Sequence, residues 1–319
     1  MIFQETLGII RKYLVTIWRL MPFQKVGDVK VHYHVSGEGE PLLLVAGLFG
    51  DLHNWKKTVP LFEKDYKVII CDNRGSGLTE APSDQFVMSD LADDAAGLLT
   101  ELGIEKAHIL GWSMGGNVAQ EIAINHSDLT GTLTLMSTYT REPDRSRYAI
   151  EAMLHSVLEG ADLYTFNAMM QAWCSTDAHL SGKLYRPTRR GSENRGEDLR
   201  IINGYVQQKR ALDAFDNRER LHMITAPTLV VHGDSDIMVS PYFADELVKG
   251  ISSVEQYWVP GAGHFLSSHS YAERVMQFLN SHPLDNLSAE SEKKPTPVKT
   301  NFFNILLSLI DESLYDKIN

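Results

Sequence analysis

Two rhythms of apolar positions divide this chain. From residue 22 to residue 283, short runs rich in Val, Ile and Leu alternate with longer stretches in which apolar residues recur every three or four positions. The first pattern predicts buried strands and the second amphipathic helices. Strands are expected over residues 42–45, 67–71, 107–110, 133–136, 228–231 and 255–259. Helices are expected over 90–102, 114–125, 241–249 and 271–280. Ahead of them, residues 25–31 and 32–35 predict a hairpin turning at Gly27-Asp28. Apolar strands alternating with helices predict an α/β fold, with a mostly parallel central sheet and helices on both faces.

The alternation stops between residues 139 and 224. That stretch is helix-rich, with Met153, Leu154, Leu158, Leu163, Phe166, Met169, Met170 and Trp173 on apolar faces. It predicts an inserted helical cap between two core segments, 22–138 and 225–283. Such a cap belongs over the carboxyl ends of the strands, where open α/β sheets bind ligands. Its Met and aromatic residues are expected to form the cap's own core, with Cys174 as buried filler.

The ends follow a different pattern. Residues 1–21 predict an amphipathic helix in which Arg11-Lys12 interrupts the apolar residues. Glu5 comes early and no small-residue cleavage site follows, so a signal peptide is not expected. Residues 284–300 are polar and contain Pro, and predict a linker. Residues 301–319 predict a second amphipathic helix, with Phe302, Phe303, Leu306, Leu309 and Ile310 on one face. Either helix is expected to pack on the protein, to join a second copy in a homo-oligomer, or to lie on a membrane surface. No run reaches the roughly 18 apolar residues of a transmembrane helix.

Composition narrows the function classes. The 319 residues carry 30 Lys+Arg and 41 Asp+Glu, a formal net charge of −11. A surface of that sign repels phosphates, so nucleic acid is not an expected partner. The acidity is uneven: residues 139–224 hold 13 basic and 12 acidic residues, and the remainder holds 17 and 29. Within the cap, Lys183, Arg186, Arg189, Arg190, Arg195 and Arg200 outnumber Glu193, Glu197 and Asp198. A solvated cap face is the expectation there, and attraction of an anionic substrate is the alternative. Cys71 and Cys174 are the only cysteines, which suits a reducing, cytoplasmic location. Neither a metal nor a cofactor is expected. No His/Cys/Asp cluster has metal-site spacing, and no phosphate-binding glycine fingerprint is present. His32 and His34 alternate on a strand and are expected to be a half-exposed pair.

The chemistry is carried by Gly111-Trp112-Ser113-Met114-Gly115, a G-x-S-x-G motif between a predicted strand and a predicted helix. A serine on so sharp a turn exposes its hydroxyl, and the glycines let neighbouring backbone pass close by. The helix N-terminus puts positive potential where an oxyanion would form. A serine hydroxyl is a weak nucleophile until a base takes its proton. The base is expected to be a histidine braced by a carboxylate, in the chain order Ser, acid, His. Gly261-Ala262-Gly263-His264 follows the last predicted strand and presents His264 on a loop. His232-Gly233-Asp234-Ser235-Asp236 follows the strand 228–231 and offers two aspartates.

On these motifs the chain resembles the α/β-hydrolase fold family over roughly residues 22–283. The resemblance extends to its esterase, lactonase, non-haem haloperoxidase-like and C–C-hydrolase branches. It implies that the acid is Asp236, three residues after Gly233, with Asp234 as the fallback. It also implies an oxyanion hole built from the backbone N–H groups of Met114 and Leu48. The family usually has His-Gly before the second donor, and this chain has Ala46-Gly47. The backbone donor is retained, while any bracing by that histidine is lost. The segment from Asp72 to Gly77 resembles a structural turn in which Arg74 braces neighbouring loops. A serine at the nucleophile position sets the chain apart from dehalogenases and epoxide hydrolases of this fold, which use Asp.

The resulting expectation is a serine esterase. An acyl-enzyme forms on Ser113 from a small-molecule ester, thioester or lactone with an apolar acyl or ring group. C–C bond hydrolysis or peracid formation on the same triad is the alternative within enzymes. A ligand-binding module or receptor with a residual triad is the alternative from another class.

Overall fold

The computed structural model describes residues 22–82, 85–181 and 195–284, apart from the side chains of residues 163, 164 and 195–199. The predicted terminal helices, nearly all of the linker and most of the basic cap segment lie outside the described residues.

Residues Phe23–Leu284 form one compact unit around an eight-stranded sheet. The strands are β1 (Phe23–Val26), β2 (Val29–Ser36), β3 (Glu40–Val45), β4 (Tyr66–Cys71), β5 (Ala107–Trp112), β6 (Thr130–Met136), β7 (Thr228–Gly233) and β8 (Val254–Val259). Their spatial order is β1-β2-β4-β3-β5-β6-β7-β8. The β1–β2 and β2–β4 pairings are antiparallel and the other five are parallel. Leu42, Leu43, Leu44 and Val45 are wholly buried, as are Ile109 and Leu110. A strand covered on both faces has no solvent side, which is why these segments read as unbroken apolar runs.

The helices are α1 (Val59–Phe62), α2 (Met88–Glu101), α3 (Met114–Asn125), α4 (Asp144–Leu158), α5 (Leu163–Cys174), α6 (Asp177–Leu180), α7 (Arg195–Asp213), α8 (Pro241–Gly250) and α9 (Ser268–Asn280). Among the described residues no helix is long and apolar enough to cross a membrane. The strand order locates the ligand crevice. From β3 the chain moves outward to β4, then returns to place β5 on the other side of β3. The loops after β3 and β5 therefore leave in opposite directions and open a cleft at their carboxyl ends.

Helices α4 to α7 lie between β6 and β7. Met153, Val157, Phe166 and Ile202 form a small core of their own, with Met169, Met170 and Trp173 packed against it. Leu158 does not join it. It sits in the last turn of α4 and is 56% exposed, so the apolar face expected there stops short of it. The two chain crossings to this insert are paired: Arg141 bridges Asp216, and Asn217 N donates to Thr140 O at 2.9 Å.

A buried ion cluster sits at the same crossing. Lys209 Nζ donates to Glu142 Oε2 at 3.1 Å and also to Asp213. Burial raises the Glu142 carboxyl from its ordinary 4.5 to about 7, although Lys209 pulls it down. With the folded value above the unfolded one, the folded state binds more protons between them. Stability from this group therefore falls as pH rises from about 4.5 to 7. Between pH 5.5 and 7.5 the melting midpoint of Glu142→Gln should fall less than that of wild type. A wild-type midpoint that falls no further than the variant's contradicts this account.

Two details differ from the sequence expectation. Leu284 is not linker: it is buried, and its N–H donates to Glu40 Oε1 at 2.7 Å. His32 is not half-exposed: it is 1% exposed, with Nδ1 2.6 Å from Asp72 Oδ2. The Asp72 carboxylate and the Phe23 ring cover it, contacts that alternation along β2 did not reveal, while Lys30 on the same strand stays exposed.

Candidate active site

Ser113 stands between β5 and α3, at the mouth of the cleft. Its N–H continues the strand ladder by donating to Met136 O at 2.9 Å, and then the chain turns. The turn puts Ser113 at φ 55° and ψ −123°, a left-handed conformation that costs a non-glycine residue about 1–3 kcal/mol. Neighbours hold it there: Thr138 Oγ1 and Gly116 N donate to Ser113 O at 2.7 and 2.8 Å. The glycines of the motif serve close approach. A Cβ on Gly111 would strike the carbonyl of Gly115, and one on Gly115 would strike that of Val45.

His264 lies on the loop after β8. Trp112 Nε1 donates to its carbonyl at 3.2 Å, and the Trp112 ring lies 5.4 Å from the imidazole. The next residue, Phe265, donates its N–H to Cys174 O at 3.0 Å, so the end of α5 is bonded to this loop. Cys174 is itself buried, and burial pushes its thiol well up.

The structure brings together three of the side chains that the sequence singled out. His264 Nε2 is 3.0 Å from Ser113 Oγ, and His264 Nδ1 is 2.8 Å from Asp236 Oδ2. Asp236 is buried in the loop after β7, where Oδ1 accepts from Val239 N at 2.9 Å. Burial alone would raise its carboxyl. The facing His264 and hydrogen bonds from His232 and His264 outweigh that and hold it down at about 2. Asp234 is placed elsewhere. Its Oδ1 accepts from Gly261 N at 2.7 Å and Ser235 Oγ at 2.8 Å, tying the acid loop to the turn after β8.

The two expected oxyanion donors flank the serine. Met114 opens α3, and the first N–H groups of a helix have no acceptor within it. Leu48 lines the same cavity as Ser113, and a Cβ on Gly47 would stand 3.0 Å from Ser113 Cβ. Bracing of this loop comes from residues that sequence reasoning had not singled out for it. Asn73 Nδ2 donates to Ala46 O at 3.0 Å, and Leu52 N donates to Asp72 Oδ1 at 2.8 Å. Their only sequence signal was their place directly after β4, beside β3. Arg74 turns away and pairs with Asp94 on α2, through Nε at 2.6 Å and Nη2 at 2.7 Å.

Phe49 connects this loop to the cap. Its backbone is left-handed at φ 64°. Its ring meets Phe166 of α5 edge-on at 4.8 Å and Tyr205 of α7 at 4.6 Å. Tyr205 Oη also donates to Phe49 O at 3.2 Å. Beneath lies a cavity of about 190 Å³ over Ser113 and His264. Ile150, Phe166, Met170, Met238, Val239 and Phe265 supply apolar walls, and Asn54 and Asn167 are polar, exposed residues on its lining. Among the described residues no group of three or more His, Cys, Asp or Glu side chains could hold a metal ion.

A hydroxyl, an imidazole and a buried carboxylate in this relation can pass a proton away from the hydroxyl. Comparison with known proteins agrees with the architecture. Residues 40–268 match the model of the alpha/beta hydrolase fold. A protein of Azorhizobium caulinodans bearing the name carbamate hydrolase RutD is 26% identical over 259 residues, covering 78% of this chain and 93% of its own. The crystal structure of the enol-lactonase from Burkholderia xenovorans LB400 is 25% identical, with a TM-score of 0.61 over 82% of this chain and 97% of that one. A thermophilic esterase from Thermogutta terrifontis is 24% identical, with a TM-score of 0.66 over 81% and 94%. The sheet order, the strand–serine–helix turn and the match over residues 40–268 agree, and the chain belongs to the α/β-hydrolase fold family.

Proposed function

We propose that the protein is a serine hydrolase that cleaves a carboxylic ester, thioester or lactone through an acyl-enzyme. The observation that carries this reading is the continuous relay from Ser113 Oγ through His264 to Asp236, at 3.0 and 2.8 Å. His264 Nε2 takes the proton of Ser113 as Oγ attacks the substrate carbonyl. The N–H groups of Leu48 and Met114 receive the negative oxygen of the tetrahedral intermediate. Asp236 holds the imidazole in the productive orientation and offsets its charge. His264 then gives its proton to the leaving alcohol, thiol or lactone oxygen. Water, deprotonated by the same nitrogen, attacks the acyl group and releases Ser113. The apolar walls around Met170, Met238 and Phe265 suit an apolar acyl or ring group. The names of the relatives, an enol-lactonase, an esterase and a carbamate hydrolase, support acyl transfer to water as the class.

The test is a panel of p-nitrophenyl esters, thioesters, lactones and aryl carbamates, run beside covalent labelling with an alkyl fluorophosphonate. Turnover of at least one substrate class is expected, together with a single phosphonate adduct on the peptide containing Ser113. Failure of both overturns the proposal.

A further inference from the structure

His232 closes β7 with its side chain fully buried. Its Nε2 lies 2.9 Å from Val239 O and 3.4 Å from Asp236 Oδ2. A carbonyl oxygen only accepts, so the hydrogen on this ring belongs at Nε2. The other nitrogen, Nδ1, has no hydrogen-bond partner among the described residues. The indole of Trp258 meets the ring edge-on at 5.9 Å and fixes its plane. One N–H is therefore aimed at two oxygens that belong to the ends of one short loop.

Those two ends are also joined to each other. Val239 N donates to Asp236 Oδ1, and Val239 O accepts from His232, whose N–H also faces Asp236 Oδ2. The second oxygen of the carboxylate is thus shared between His264, at 2.8 Å, and the longer contact from His232. We propose that His232 is a positioning residue of the hydrolytic reaction, whose Nε2–H clamps the Asp236–Val239 loop and keeps Oδ2 against His264 Nδ1. The proposal rests on the serine-hydrolase reading. His232 touches neither substrate nor the reacting atoms and acts through Asp236.

The alternative is that His232 only fills space between β7 and Trp258, and two variants separate the roles. His232→Leu fills the space with an apolar side chain and removes the donor. His232→Gln places an amide N–H near the position of Nε2. Three titratable groups face Asp236: His232 from β7, His264 from the loop after β8, and Cys174 from the end of α5. Burial pushes the Cys174 thiol well above neutrality, so it stays uncharged over the assay range.

Ester kinetics would be measured from about pH 5 to pH 9, a range that spans histidine titration. In His232→Leu, kcat is expected to fall about 10- to 100-fold with a much smaller change in KM, the loss typical of a hydrogen bond to a charged group. The acid limb of kcat is expected to move to higher pH. Oδ2 without its second donor concentrates its charge on His264 and favours the protonated ring. His232→Gln should restore most of the rate and return the limb towards wild type. A Leu variant within about threefold of wild type overturns the proposal. So does a Gln variant as slow as Leu with the acid limb unmoved, which marks a packing role. If His232→Leu does not fold, His232→Asn takes its place, because its amide stops short of the Nε2 position. Wild-type turnover that survives Ser113→Ala, or neither turnover nor a phosphonate adduct on Ser113, is a different result. It overturns the hydrolase reading and this proposal with it.

Discussion

Ser113→Ala is expected to lower kcat on the best ester by about 10⁵- to 10⁶-fold, with the melting midpoint almost unchanged. The substitution removes one oxygen and leaves the backbone turn in place. Alanine carries the same Cβ as serine, and the bonds that hold the turn use the backbone of residue 113, from Thr138 Oγ1 and Gly116 N. Without Oγ no acyl-enzyme forms, and His264 has no hydroxyl to activate at 3.0 Å. On the serine-hydrolase proposal the N–H groups of Leu48 and Met114 would still polarise a bound carbonyl, so a slow direct attack by water would persist. Such residual catalysis is about 10³- to 10⁴-fold over the uncatalysed rate in serine enzymes. The assay is steady-state hydrolysis beside a thermal melt and the phosphonate adduct mass. A variant that keeps more than about a tenth of wild-type kcat removes Ser113 from the nucleophile position.

The two aspartates of the acid loop are expected to differ by orders of magnitude. Asp236→Asn should lower kcat about 10⁴-fold, and Asp234→Asn should leave it within about threefold. The size of the first effect follows from the tautomer that the carboxylate enforces. Asp236 Oδ2 accepts from His264 Nδ1, which leaves Nε2 free to receive the proton of Ser113. An amide in its place can donate to Nδ1. The ring hydrogen then sits on Nε2, where it faces the hydroxyl it should deprotonate. The loss of charge also removes what stabilises the imidazolium. Asp234 has no such connection. It accepts from Gly261 N and Ser235 Oγ, and an asparagine oxygen can still receive both hydrogens. The opposite ranking in kcat would transfer the acid role to Asp234.

What the sequence disclosed depended on how local each feature is. The buried strands were legible because a strand covered on both faces must be apolar at every position, as residues 42–45 are. The Ser113 turn was legible because strand, serine and helix are consecutive. His264 was legible because it follows a strand in the expected chain order, whereas order alone left Asp234 and Asp236 open and only the family resemblance pointed to Asp236. Contacts across the sheet were not. Asn73 braces Ala46 because β4 and β3 are neighbours, a fact of strand order that no local window contains. Tyr205 reaches Phe49 across the length of the cap. His32 is covered because the Asp72 carboxylate and the Phe23 ring meet its side chain, and periodicity registers alternation but not what packs on a strand's face. His232 shows in the sequence only as the residue that precedes the acid loop. Its partnership with Val239 exists only once the loop folds back on β7.

The loop from Asp236 to Val239 carries two jobs at once. Asp236 meets His264, while Met238 and Val239 form part of the cavity wall, two and three residues further on. A substitution that reshapes that wall also tugs on the carboxylate through Val239 N. Ile150, Phe166 and Met170 line the same cavity from α4 and α5 without a backbone bond to the acid loop; on the cap side Ser146 of α4 is bonded to it, donating to Met238 O. The wall is therefore unevenly evolvable. New substrate preferences acquired at Ile150, Phe166 or Met170 should cost less rate than those acquired at Met238 or Val239, where what is bound and how fast it is turned over are coupled.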